Sequence, residues 1–234
     1  MATRNRPSFL KRALRGFLRQ TYPNRELIVV DDSDRSMAPL CRDLPGVRYI
    51  RLTQPSRTGT KLNLGIEAAR GDLLQKLDDD DWYGPTFLAS SVEHFPRRGA
   101  ASTLVTRCCF LVLLRGAGVL RHSGHGWNPG SAFCFHRSLW KRAHFRDTSY
   151  SVDSFLLRDL EPRIVRICRV EEHIVVRHGR NTWTRMTTGD ANDYFRRCAA
   201  YPKPLDQLVA PEDLKSLAGM LGAPAGSRRA SPTT

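Results

Sequence analysis

Two periodicities alternate along the first half of the chain. Phe9, Leu10, Ala13, Leu14, Phe17 and Leu18 fall on one face of a 3.6-residue repeat, which predicts a helix over residues 7–20. Pro7 sits in the first turn, where its missing N–H costs nothing, and Thr21-Tyr22-Pro23-Asn24 breaks the pattern. Residues 26–30 form a short β-branched run that closes on Asp31-Asp32-Ser33. A continuous apolar run of that length suits a strand buried on both faces. Residues 47–52 predict a second strand. Residues 61–70 predict a helix, with Leu62, Ile66 and Ala69 on one side and Gly71 as its C-terminal stop. Residues 72–77 predict a third strand that runs into four consecutive aspartates, and residues 85–95 another helix.

The second half is less regular. Residues 101–120 read as two or three strands, 124–130 as a loop, 131–135 as a strand and 138–143 as a short helix. Residues 152–160 predict a helix, 163–176 strands, and 189–200 and 206–221 further helices, while 222–234 has a disordered composition. Short apolar strands alternating with helices imply an α/β fold with a mostly parallel sheet. The expected organisation is one domain over 1–200, made of halves 1–95 and 96–200, then a helix in 201–221 and a tail. Ligands of such sheets bind beyond the C-terminal strand ends, where Asp31-Asp32 and Asp78 to Asp81 both lie.

Composition narrows the class. Apolar residues make up 41% of 234 and charged residues 26%, ordinary for a globular domain and unlike collagen, a disulfide scaffold or a disordered chain. The longest apolar run, Cys108 to Leu114, is far short of the roughly 20 residues of a membrane span. No apolar leader follows the basic N-terminus, so a cytoplasmic location is expected. Lys plus Arg outnumber Asp plus Glu by 37 to 23, a net charge of +14, which admits nucleic acid, an anionic membrane surface or a phosphorylated ligand. The excess is Arg spread along the chain with no aromatic-studded stripe, so a solvated surface fits equally and no nucleic-acid partner is expected. Cys41, Cys108, Cys109, Cys134, Cys168 and Cys198 include no C-x-x-C pair, which predicts buried thiols rather than a zinc site.

The aspartate run carries the chemistry. Four adjacent carboxylates repel one another, and a divalent cation with oxygen ligands relieves that repulsion. Alternate residues at a strand end point the same way, which would turn Asp78 and Asp80 toward one ion. A solvated acidic turn is the competing reading.

Asn5-Arg6-Pro7, Gln20-Thr21-Tyr22-Pro23, Val30-Asp31-Asp32-Ser33, Asn63-x-Gly65, Ala69-x-Gly71 and the aspartate run, in that order, resemble the nucleotide-sugar-binding half of family 2 glycosyltransferases. The resemblance is strong over residues 2–95 and weaker over 130–185. It implies a GT-A fold and inverting sugar transfer with Mn²⁺ or Mg²⁺. The implied donor is a nucleoside-diphospho-sugar, UDP-linked for preference, and the acceptor is a glycan, lipid-linked or protein hydroxyl. By position it implies that Thr3, Asn5, Asp32, Lys61, Asp78 and Asp79 contact the donor, that Asp80 with Asp78 and His178 holds the metal, and that Asp153 is the general base. Each has a plainer alternative: Lys61 as a solvated helix cation, His178 as a structural histidine, Asp153 as a carboxylate at a helix N-terminus. Arg177 and Arg180 could clamp diphosphate oxygens. Trp127 could stack on an acceptor sugar or simply pack, and His122-x-x-His125 is too weak for a metal site.

The chain departs from the family in two places. The family begins with an apolar strand in mid-sheet, absent from Met1-Ala2-Thr3-Arg4-Asn5, and Val152 stands where an acid usually precedes the base. The missing strand predicts unpaired backbone ladders, at about 1–3 kcal/mol per unsatisfied buried group. A catalytically inactive module that binds nucleotide, glycan or a protein partner is therefore the alternative function. Charge at an anionic membrane would suit a peripheral enzyme.

Overall fold

The computed structural model describes residues 1–124, 127–179, 181, 185–186 and 189–221. The first sheet is parallel and small: β1 (Ala2–Thr3), β2 (Leu27–Asp31) and β3 (Val47–Arg51), in the order β1-β2-β3. Helix α1 (Pro7–Leu18) covers one face of β2, with Leu10, Leu14 and Phe17 packed with Leu27 and Val29. A four-residue helix α2 (Ala38–Cys41) joins the same cluster through Cys41. Helix α3 (Thr58–Ala68) covers the other face, where Gly65 lies against Val30 and Ile28. A strand clad on both sides must be apolar throughout, and all five residues of β2 are buried.

The expectation of a missing first strand needs one correction. Two residues of it exist: Ala2 pairs with Val30 and Thr3 with Asp31, and the Val30 N–H donates to the Met1 carbonyl at 2.9 Å. The Met1 amine donates to the Ile28 carbonyl at 2.9 Å, and burial lowers its pKa to about 6. Beyond it β2 and β4 (Leu73–Gln75) flank a cleft of about 680 Å³, with Leu62, Ile66 and Leu77 among its other walls. Among the described residues β4 pairs only with the strand Cys134–His136, so no strand ladder joins the first sheet to the second.

The chain then forms β5 (Trp82–Tyr83), α4 (Phe87–Glu93), β6 (Thr103–Leu114), β7 (Gly118–Ser123), β8 (Cys134–His136), α5 (Arg137–Trp140), α6 (Val152–Leu160), β9 (Arg163–Cys168) and β10 (His173–Arg177). After β10 come β11 (Arg185–Met186), β12 (Gly189–Asp190), α7 (Ala191–Arg196), β13 (Ala199–Ala200) and α8 (Pro211–Leu221). β6 is the spine of the second sheet. It runs parallel to β9 and β10 and antiparallel to β7 and β8. All twelve of its residues are buried, Arg107 included, because Glu172, Ser90 and the Phe87 carbonyl accept from its guanidinium.

The sequence signals differ from the structure at several boundaries. Residues 101–120 hold one long strand and the start of a second, the lower of the two numbers expected, and the second runs on to Ser123. α3 begins at Thr58 and stops at Ala69 without a left-handed glycine; the Glu26 carboxylate accepts from the Arg70 and Gly71 N–H groups instead. The expected set of free buried thiols is also wrong for one pair. Cys109 and Cys168 form a disulfide between β6 and β9, brought together at a bulge between Arg107 and Cys109. Cys108 stays a buried thiol beside it. Among the described residues no helix is long and apolar enough to cross a membrane. The tail at 222–234 lies outside the described residues.

Candidate active site

A crevice of about 1030 Å³ opens between the C-terminal ends of the strands and α6. Thr3, Lys61 and Asp78 to Asp81 line it from the first half of the chain; Gly130, Asp153, Arg177 and Asn181 line it from the second.

The four aspartates have four different environments. Asp81 is structural: one oxygen accepts the Val176 N–H at 3.0 Å, and the other lies 3.4 Å from His173 Nε2. Asp79 accepts from Thr3 Oγ1 at 2.7 Å and from Arg6 at 3.0 Å. Burial, and then the neighbouring Asp80 charge, push the Asp79 carboxyl up to about 6. Asp80 Oδ2 faces His178 Nε2 at 3.1 Å and Arg6 at 3.0 Å. Burial opposes its charge, but the His178 bond and the Arg6 cation more than offset this and hold its carboxyl below the ordinary value. Asp78 turns away from that pair to Lys76, whose Nζ lies 2.9 Å from its Oδ1. Desolvation, and beyond it the charges of Asp153, Asp80 and Asp81, raise the Asp78 carboxyl.

The expected three-residue metal set is therefore not assembled. Among the described residues the only three or more ligand atoms gathered within 4.8 Å are the sulfurs of Cys108, Cys109 and Cys168. Asp80 and His178 are paired, and Asp78 is drawn off because a buried ammonium two residues earlier is its nearest counter-charge. The pair nonetheless fits a hard divalent ion that completes its shell from a diphosphate and water. It offers one carboxylate at a crevice wall crowded with acid, with one imidazole 3.1 Å from it.

Two donor-contact expectations also change. The Asp32 carboxylate has no exposed surface. Lys61 Nζ holds it at 2.6 Å and the Ser56 N–H at 2.8 Å, so Lys61 and Ser56 present that wall instead. Lys61 is thus a buried, doubly bonded cation, its Nζ also 3.1 Å from the Thr3 carbonyl, and not a solvated one. Asn5 is a turn residue with φ of 52°; its N–H donates to Ser33 Oγ and its side chain bonds Asp34 at the rim. Asp31 is held by Ser33 and Tyr49 and belongs to the core.

Asp153 stands in the first turn of α6, after Ser151 in a left-handed conformation. Its Oδ2 is 3.3 Å from Lys76 Nζ, while Oδ1 is buried with no hydrogen-bond partner. His178 packs edge-on against Phe9, 4.8 Å between ring centres. Arg177 lines the crevice and donates to Asn192 at 2.9 Å. Trp127 packs against Phe110, His122 and Phe195 and also reaches the crevice. His122 bonds Tyr194, and Arg180 and His125 lie outside the described residues. Lys76 and Arg6 carry no local sequence signal for these contacts, because Arg6 meets Asp79 and Asp80 across 73 and 74 positions and Lys76 meets Asp153 across 77. Tyr150, the only large hydrophobic that is exposed among the described residues, sits on the crevice rim.

The profile of the family described as "Glycosyl transferase family 2" matches residues 1–142, more than half the chain. The chain belongs to that family. Among curated proteins it is 33% identical over 99 residues to an Escherichia coli (strain K12) protein described as a colanic acid biosynthesis glycosyl transferase, WcaA, covering 40% of this chain and 36% of the relative. It is 34% identical over 88 residues to the glycosyltransferase YwdF of Bacillus subtilis (strain 168), covering 36% and 32%. The chain thus matches about a third of the length of these relatives. Among solved structures, S. aureus TarS 1-349 in complex with UDP-GlcNAc superposes with a TM-score of 0.56 at 16% identity, over 94% of this chain and 64% of that one. A mannosyltransferase of Pyrobaculum calidifontis in complex with GDP-Man and Mn²⁺ gives 0.57 at 18%, over 75% and 55%. The fold of this family 2 chain is GT-A, as the resemblance implied.

Proposed function

We propose that this chain transfers a sugar from a nucleoside-diphospho-sugar to an acceptor hydroxyl with inversion, in a reaction that needs Mn²⁺ or Mg²⁺. One observation carries the reading. A single crevice holds the acidic end of β4 on one wall and a lone carboxylate, Asp153, on the other. That is the layout a displacement at C1 requires, with a leaving group on one side and a base on the other.

Asp80 and His178 are the residues that would hold the ion, which when bound stabilises charge on the leaving diphosphate as a Lewis acid. Thr3, Lys61, Asp78 and Asp79 line the donor side, and Arg177 offers a cation to the phosphates. Asp153 accepts the proton of the acceptor hydroxyl as that oxygen attacks. The similar TarS and the archaeal mannosyltransferase bind UDP-GlcNAc and GDP-Man, which favours a nucleotide-sugar here, UDP-linked first. The acceptor is a glycan, a lipid-linked sugar or a protein, and the charge of +14 favours a peripheral site at an anionic membrane.

Calorimetric titration of UDP and GDP, with and without Mn²⁺, tests the donor side. Binding that requires Mn²⁺ and is lost in Asp80→Asn is expected; no binding by folded protein would overturn the reading. Salt-sensitive adsorption to anionic vesicles tests the membrane contact.

A further inference from the structure

Lys76 is the one buried cation of the crevice that touches both walls. Its side chain is 5% exposed, and Nζ lies 2.9 Å from Asp78 Oδ1 and 3.3 Å from Asp153 Oδ2. Its backbone is fixed as well, the N–H donating to the Phe133 carbonyl at 2.8 Å. Burying an ammonium is costly, and it is tolerated here because two carboxylates compensate it. A lysine that only neutralised Asp78 would not need the second contact, which reaches 77 residues along the chain to the opposite wall.

Gly130 crowds the same oxygen of Asp153, Oδ2 being the atom nearest to where its β-carbon would lie. A β-carbon at Gly130 would overlap the Asp153 carboxylate, so only glycine leaves room for the side chain where it lies. Asp153 Oδ1 is shut in without a partner, while the side chain keeps 27% of its surface exposed. Asp153 lines the crevice, and Oδ2 is the oxygen that Lys76 holds.

We infer that Lys76 is the positioning residue for the base: with Gly130 close against the same carboxylate oxygen, it fixes Asp153 so that Oδ2 receives the acceptor proton. This rests on the transferase reading above. In the step it supports, the acceptor O–H bond breaks and its proton passes to Asp153 Oδ2. The acceptor oxygen bonds C1 of the donor sugar, and the C1–O bond to the diphosphate breaks with its electron pair on the leaving group. Lys76 gives up no proton. It keeps the accepting lone pair pointed into the crevice, and a carboxylate oxygen can take a second hydrogen bond while it does so.

The test is nucleotide release from UDP- and GDP-sugars in Mn²⁺, with water or added sugar as acceptor, measured beside nucleotide affinity. Lys76→Met is expected to lower kcat about 100-fold, the scale of a misplaced general base, with affinity for UDP or GDP changed by less than about threefold. Lys76→Arg, which keeps the charge, is expected to recover most of that loss, and Gly130→Ala to reproduce the Lys76→Met pattern. A Lys76→Met enzyme within threefold of the parent kcat would overturn the inference. So would kcat and nucleotide affinity falling together.

A second readout needs no turnover. The ¹⁵Nζ resonance of Lys76 is expected to be visible, because burial slows its exchange, and to move in Asp153→Asn. A resonance indifferent to that substitution overturns the pairing even if sugar transfer stands. An intact pairing in a parent protein that turns over no nucleotide-sugar fells the transferase reading, and the base role with it.

Discussion

β2 and β4 bound two cavities that differ in what each lacks. Toward their N-terminal ends the space between them is walled in part by Ile28, Leu62, Ile66 and Leu74; beyond their C-terminal ends it is walled by Lys61, Lys76 and Asp78 to Asp81. The first lacks atoms. Its strands turn backbone edges and apolar side chains toward a gap, so the deficit is one of packing and pairing. The second has an excess of like charge, so its deficit is one of compensation. The second keeps its residues in place because they are fixed from several directions. Thr3 is pinned to Asp79, Arg12 to the Asp80 and Asp81 carbonyls, and Asp81 to β10. Fold stability and site geometry are separable here, and substitutions at the two ends should separate them.

The largest effect belongs to the charged end. Asp153→Asn keeps the size of the side chain and removes the proton acceptor, so donor turnover should fall by about 10²–10⁴, with the melting temperature close to the parent's. A retained rate would dissolve the functional contrast between the ends. Next is Gly59, whose β-carbon would overlap the Arg146 carbonyl where the segment before α6 lies against α3. Gly59→Ala should cost about 1–3 kcal/mol in denaturant titration and disturb the approach to Asp153 as well.

A pH series without metal comes third. The Asp79 carboxyl is raised to about 6 by burial beside Asp80, so the folded state holds its proton over a range where the unfolded chain has released it. Stability should therefore fall as pH rises from about 4 to 6, by about 1–3 kcal/mol from this group, and Asp78 acts in the same direction. The Met1 amine, lowered to about 6, opposes this at higher pH: the unfolded chain keeps that proton up to about 8, so stability from this group rises between the two values. Mn²⁺ should flatten the acid-side slope, and a slope unchanged by Mn²⁺ would deny the crevice its counter-ion. The smallest effect is at the apolar end. Gly65 lies inside α3 with ordinary van der Waals room for a methyl against Val30 and Ile28. Gly65→Ala should gain about 1 kcal/mol from helix propensity, read as a higher melting temperature at unchanged nucleotide affinity.

What was legible in the chain follows from how local each signal is. α1 and β2 were readable because burial on one face or on both writes itself into five to twelve consecutive residues. The placement of the aspartates at the end of β4 was readable for the same reason. Arg107 was not: it bounds an apolar run in sequence, yet lies inside β6 because Glu172, 65 residues away, neutralises it. Lys76 was missed on the same ground, since its second partner is Asp153. The Cys109–Cys168 bond depends on a bulge and a separation of 59 residues, neither of which a spacing rule registers. Asp32 was placed at the right strand end, but which side chain faces the crevice was decided by Lys61 from α3.

Asp213 of α8 has consequences for timing. Fully buried, it accepts from Trp82 Nε1 at 3.0 Å, from Arg15 of α1 and from Arg19 just after it. Trp82 follows the aspartates directly, so the segment that carries them is fastened from behind by a residue 131 positions later. Arg15 waits longer still, for a partner 198 positions away. Loop closure over such distances comes late, and proteins rich in distant contacts fold slowly. During synthesis this rear fastening of the aspartate-bearing segment is thus among the last contacts to form, since α8 must emerge first.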